Sequence, residues 1–252
     1  MNFLEAIYLL GLALVTATVS GVFGMAGGLM LMGGLAGLMS VNAAFVTHGI
    51  LQLASNGWRA ILHRKYLSWR IVGYFALAAF GAAIVSALLN YRPSKPYLYI
   101  LLGLTPIFVW LPAQWSRLDA NRPPHALLGG FVVTSLNLLA GVAGPLLDIF
   151  FVRTELTRKQ IVATKAATQV FSHVMKIAVY GAPLLAVHTA GLPPAWLLAL
   201  CIGLSFAGAI LGGKILERMT DVNFKRATRW IVTVLGVLYF MRGVMLLAHS
   251  PV

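Results

Sequence analysis

Apolar runs recur along the whole chain, separated by short stretches that carry most of the charge. The pattern predicts helical segments at 2–19, 24–39, 41–62, 71–89, 97–111, 126–140, 145–152, 160–180, 195–213 and 224–247. A membrane-spanning helix takes about 20 apolar residues, so the length has room for about seven to nine spans. The runs at 24–39 and 145–152 are too short to span alone. Each follows another apolar segment across a glycine-rich break, so each reads as the second arm of a helical hairpin or half of a broken helix.

Composition agrees with this pattern. Sixty per cent of the 252 residues are hydrophobic and 10% are charged, whereas a soluble domain carries about a quarter charged residues. The expected class is an all-α integral membrane protein. The first twenty residues hold Glu5, no basic residue and no small-residue cleavage site, so they read as a membrane segment rather than a removable signal peptide. A lone Cys201 excludes an internal disulfide and a cysteine-rich metal site. Neither a metal nor another cofactor is expected.

Net charge is +13, with 19 Lys and Arg against 6 Asp and Glu. On a soluble protein that balance would suggest nucleic acid. Here the basic residues lie mostly in loops, beside membrane lipid, and nucleic acid is not an expected partner. If each short run returns to the side it entered from, Arg92, Lys95 and Arg242 fall on one face. Arg59, Lys165 and Lys176 lie within spans, and the remaining basic residues collect on the opposite face. Cytoplasmic loops carry the excess of Lys and Arg, so both termini are expected outside the cytoplasm. Treating the short runs as single crossings makes the split much more even.

An offset of 117 residues lays FGMAGGLMLM (23–32) over AGVAGPLLDI (140–149) and pairs Thr47 with Thr164, Gln52 with Gln169, Ser55 with Ser172 and Arg59 with Lys176. With small gaps, FGAAIVSALL (80–89) falls over AGAILGGKIL (207–216). Identical polar residues inside apolar spans rarely arise by chance. The expected architecture is two inverted repeats, each a broken helix or helical hairpin plus three transmembrane helices. The first repeat covers 1–114, a cytoplasmic linker 115–124 and the second repeat 125–252. Transporters on this plan bind substrate near the midplane, at discontinuous helices.

The intramembrane polar residues make a candidate site. His48, Gln52, Ser55, Asn56 and Arg59 share one helical face, as do Lys165, Gln169, Ser172, His173 and Lys176. Residues eleven apart on a helix lie within about 20° and about 16 Å along the axis. Antiparallel packing would bring Arg59 level with Lys165 toward the inside and His48 level with Lys176 toward the outside. The amides of Gln52 and Gln169 would lie between them. Ionisable residues in a membrane usually mark function. The plain reading is that Arg59 and Lys176 snorkel to the headgroups and the glutamines only tie helices together. Matching faces on duplicated helices favour the functional reading.

Gly24, Gly27 and Gly28, and again Gly141 and Gly144, fall where each hairpin should turn. Glycine permits a tight turn and lets a ligand approach bare backbone, and a helix starting there aims free N–H groups at an anion. Asp148 has no acidic counterpart in the first half, where Leu31 stands. It reads as a counter-ion for a nearby lysine or, second, as a proton carrier, which would make the proton a coupling ion. No H-E-x-x-H motif, cysteine pair or carboxylate cluster suggests an enzyme. An anion carrier is the favoured class, with an anion channel as the alternative. No oligomeric state follows from the pattern.

The glycine-rich first break, its repeat halfway along and the helix after each resemble the TauE/SafE family, the sulfite exporter or toluene-sulfonate uptake permease family. The resemblance extends to the tail RWIVTVLGVLYFMRG (229–243). Members usually carry a fuller glycine run at both breaks. Here Met25 and Ala26 interrupt the first, and Pro145 follows Gly144 in the second. The resemblance implies transport of sulfite, organosulfonates or related sulfur oxyanions, commonly as export across a bacterial inner membrane. The residues themselves point equally to a small carboxylate.

Overall fold

The computed structural model describes residues 1–111, 117–186 and 191–249, and all its secondary structure is helical. The start of the linker expected at 115–124 lies outside the described residues. The helices, in chain order, are α1 (Phe3–Phe23), α2 (Met25–Leu38), α3 (Val41–Leu62), α4 (Trp69–Leu89), α5 (Lys95–Leu104), α6 (Pro106–Trp110), α7 (Pro123–Ala140), α8 (Gly144–Phe151), α9 (Arg158–Ala186), α10 (Ala195–Leu216) and α11 (Asp221–Ala248). The expected segment at 97–111 is split at Thr105. Pro106 has no N–H to continue the ladder, and the Thr105 hydroxyl turns back to the Leu102 carbonyl at 2.7 Å.

Local chemistry sets several boundaries. The Asn2 side chain accepts from the Glu5 amide and the Glu5 carboxylate accepts from the Asn2 amide, both at 2.8 Å, closing a capping box on α1. Ser40 caps α3 by accepting from the Ala43 amide, and Thr220 caps α11 by accepting from the Asn223 amide.

Both short runs form hairpins. α1 ends at Gly24, whose φ of +64° favours a residue without a Cβ, and α2 folds back along α1. Gly27 sits against Thr16 and Ser20, and Gly34 against Leu12 and Tyr8. In the second half the turn is Gly141, at φ +78°; α8 then runs back along α7, bringing Phe150 beside Gly129. The turns are therefore at Gly24 and Gly141 alone. Gly27 and Gly28 lie inside α2, where they serve packing and close approach rather than chain reversal, and Gly144 opens α8.

The helices pair in a pattern that is largely preserved when the two halves are exchanged. α1 packs on α10 and α7 on α4; α3 packs on α9, and α5 on α11. α3 and α9 are antiparallel, because Phe45 stacks on Tyr180 while Asn56 reaches Gln169. α5 and its extension α6 run antiparallel to α11: Gly243 packs on Ile100, and Trp110 donates to Thr233 at 2.8 Å. α1 and α10 run parallel at close range. A Cβ on Gly208 would lie 2.6 Å from the Leu14 carbonyl, and one on Gly212 would strike that of Thr18. Such small-residue stripes let backbones approach where lipid supplies no hydrophobic drive.

Among the described residues, five helices are long and apolar enough to cross a membrane: α1, α4, α7, α10 and most of α11. Trp69, Leu88, Trp196, Ile210, Trp230 and Leu238 stand exposed on them, an outer surface suited to lipid. α3 and α9 are long enough but too polar to join that set, and they pack together inside the bundle. This inversion, apolar outside and polar within, is what an integral membrane protein requires. The chain is a multi-pass membrane protein.

Candidate functional site

The polar faces of α3 and α9 meet, and the hairpins α1–α2 and α7–α8 close over them. The central connection is a chain of three hydrogen bonds. The Lys176 ammonium donates to the Gly141 carbonyl at 2.5 Å and to His48 Nδ1 at 3.1 Å. His48 Nε2 lies 3.1 Å from the Gly28 carbonyl. A carbonyl can only accept, so Nε2 carries the proton and Nδ1 offers its lone pair to the ammonium. His48 is therefore neutral, with each nitrogen engaged. One polar chain thus joins the backbone of the first hairpin to the turn of the second.

Lys176 has no exposed surface and His48 only 1%. Lys176 also lies 5.5 Å from the centre of the Phe45 ring, a cation–π contact that helps to hold a desolvated ammonium. Snorkelling to the headgroups, the plain alternative for Lys176, does not occur.

Next to this level lies an amide layer. Asn56 Nδ2 donates to Gln52 Oε1 at 3.4 Å and to Gln169 Oε1 at 3.5 Å. These bonds are long, at the weak end of the range, and leave the glutamine NH2 groups free to turn. Gln52 reaches the bare backbone of α2: a Cβ on Gly28 would lie 2.8 Å from its Nε2. Ser172 bonds Thr134 of α7 at 2.8 Å.

The second basic level is built differently. Lys165 forms an ion pair with Asp148 of α8, and the side chains are 25% and 33% exposed. The α3–α9 register set by Asn56 with Gln169 and His48 with Lys176 keeps Arg59 at the level of Lys165, and Asp148 supplies the counter-charge between two cations that would otherwise repel. Arg59 stays half-buried in the last turn of α3. Gly24, the turn of the first hairpin, and Gly144, the first residue of α8, line the ends of the two hairpins and bond to none of these side chains.

Two residues complete the layer. His173 lies beside His48, ring centroids 5.7 Å apart, and neither of its nitrogens finds a partner among the described residues. Asn137, in the last turn of α7, is equally buried with its Oδ1 unpaired. Sequence reading missed Asn137. Under the 117-residue offset it falls on Ser20, so no identity flagged it. No cluster of metal-ligating residues occurs among the described residues.

A family model described as sulfite exporter TauE/SafE matches residues 9–239 of the chain. No curated protein and no solved structure matches it.

Proposed function

The chain belongs to the sulfite exporter TauE/SafE family of transporters, and from that premise we propose that it is a secondary carrier of small anions. Its cargo is sulfite or an organosulfonate, exported across the bacterial inner membrane by alternating access. The observation that carries this reading is the fully buried Lys176, chained through His48 to the backbone of both hairpins. A lone ammonium inside a membrane bundle is costly; an arriving anion would repay it. Lys176 has a further N–H to offer and the glutamine amides have theirs. A sulfonate presents acceptor oxygens in three directions, which suits such convergent donors.

The two basic levels supply a gate at each end. The His48–Lys176 level is sealed, while the Lys165–Asp148 level is partly exposed. In the topology drawn from the basic loops, the first faces the periplasm and the second the cytoplasm, with both termini periplasmic, so this state would load from inside. Inverted repeats are supported by the antiparallel packing of α3 on its counterpart α9 and by neighbours that exchange with the halves. Such repeats give two states of similar energy around one fixed site.

Reconstituted in liposomes, the protein should catalyse saturable counterflow of labelled sulfite without single-channel current. A stepwise current, or flux that never saturates, would make it a channel. Single cysteines placed in a Cys201→Ser background should label at 63–70, 153–159 and 217–220 only from the cytoplasmic side. Labelling there from outside would overturn the topology.

A further inference from the structure

We propose that His173 is a proton-binding site of this carrier, with Asn137 as its hydrogen-bond partner, and that the proton and the anion load together. The proposal rests on the anion-carrier reading. Several groups inside the bundle could in principle exchange a proton. His48 is excluded by its bonding: Nε2–H is committed to Gly28, and a proton on Nδ1 would face the Lys176 ammonium. Asp148 is held as a carboxylate partner by Lys165. The Tyr180 hydroxyl donates to the Leu138 carbonyl. Among the described residues inside the bundle, His173 keeps both ring nitrogens unengaged, at 4% exposure.

Asn137 is placed to accept a hydrogen bond from the protonated ring. On α7 it lies between Thr134, which bonds Ser172, and Gly141, which bonds Lys176. On α9, Ser172 and Lys176 flank His173 in turn. The two unpaired side chains therefore share one level of the α7–α9 contact. A neutral imidazole has one N–H and one lone pair; when a proton from bulk water adds to that lone pair, the ring has two N–H groups. The bare Asn137 Oδ1 can accept from one of them, and a bound anion from the other.

Charge then decides the order of events. The charged and titratable groups facing His173 are Lys176 on its own helix and His48 on α3. Arg59 lies further along α3, and Arg92 sits over the Tyr180 ring at 4.8 Å. The packed helix α4 adds Arg70 and Tyr74, and α7 adds no charge within the bundle. Asp148 of α8, already paired, is the sole carboxylate on any of these helices. A second cation beside Lys176 thus has no counter-charge until an anion arrives. Each ligand must raise the affinity of the other, by the reciprocity of linked binding.

The test is proton uptake on anion binding, read by a pH dye in weakly buffered protein or by calorimetry in buffers of different ionisation enthalpy. Ethanesulfonate is the probe, because it is fully ionised and brings no proton of its own; sulfite is run beside it. Wild type should take up a proton as it binds either anion. His173→Gln, with its melting temperature as a fold control, should bind the sulfonate without uptake. Asn137→Leu should need about tenfold more protons, a downward shift of about one pH unit in the uptake midpoint. This variant stands on its own if His173→Gln does not fold. Sulfonate binding without uptake in wild type, or undiminished uptake in His173→Gln, would overturn the proton site and leave the anion reading intact. Failure of wild type to bind either anion would overturn both.

Discussion

The levels on either side of the amide layer use the same residue types to different ends. At one, Lys176 is fully buried and donates to a histidine and a backbone carbonyl, with no carboxylate. At the other, Lys165 is partly exposed and rests on Asp148. Under the 117-residue offset Arg59 is the counterpart of Lys176, and Lys165 is the counterpart of His48. Strict symmetry at the second level would confront two permanent cations, and Asp148, with only Leu31 as its counterpart, relieves that conflict. Duplicated positions need not be duplicated functions. One lysine is held in reserve for an anion, and the other is already neutralised.

The largest effect expected from breaking this contrast is at Lys176. Lys176→Gln removes the buried charge and cuts the bridge between the hairpins. Losing a charge-assisted hydrogen bond costs about 1.5–3 kcal/mol, or a roughly ten- to hundredfold weakening of anion binding. Binding should fall by that factor, measured by calorimetry on protein that still runs as a single species in detergent. In sided assays on oriented vesicles the loss should fall chiefly on exchange from the His48 side. Equal losses from both sides would merge the two levels into one shared site.

A smaller effect is expected at the paired level. Partly exposed ion pairs contribute about 0.2–1 kcal/mol, so Lys165→Ala should weaken anion binding by about fivefold at most. Asp148→Asn should act in the opposite direction, releasing the lysine to attract the anion, and should raise the rate of loading from that side. Salt should blunt both effects more than it blunts the loss at Lys176, because buried charges are less screened. Arg59→Gln should share the sidedness of Lys165→Ala. Tighter binding in Lys165→Ala would contradict the assignment of levels.

Two neighbouring glycines sharpen the contrast between scaffold and site. A Cβ on Gly27 would strike the Thr16 carbonyl and the backbone of Ser20, which cannot yield. A Cβ on Gly28 would meet only the end of the Gln52 side chain, which can swing away. Overpacking against fixed atoms costs about 1–3 kcal/mol, so Gly27→Ala should lower the melting temperature by several degrees. Gly28→Ala should leave it nearly unchanged and alter anion affinity instead.

Much of this architecture is legible in the sequence because membrane helices must declare themselves. The alternation of apolar runs located every described long helix, and α3 begins and ends where the polar periodicity placed it, at Val41 and Leu62. The 117-residue offset and the glycine strings pointed to the hairpins. Which glycine makes the turn was not legible, since only backbone dihedrals separate Gly24 from Gly27 and Gly28. Asp148 was legible as a counter-ion for a nearby lysine; that the lysine is Lys165 needed three dimensions, because Asp148 reaches it only after α8 folds back along α7. Asn137 was hidden as well. A single asparagine near a glycine break carries no sign of its burial in the sequence.

The buried polar layer should bind a small sulfur oxyanion. Calorimetric titration of the purified protein with sulfite, thiosulfate, sulfate and short sulfonates and carboxylates tests this directly. Saturable binding of sulfite or a short sulfonate, weakened at least tenfold by Lys176→Gln in a variant that remains folded, is the predicted result. Binding of carboxylates alone, or affinity for the sulfur oxyanions that Lys176→Gln leaves unchanged, would contradict it.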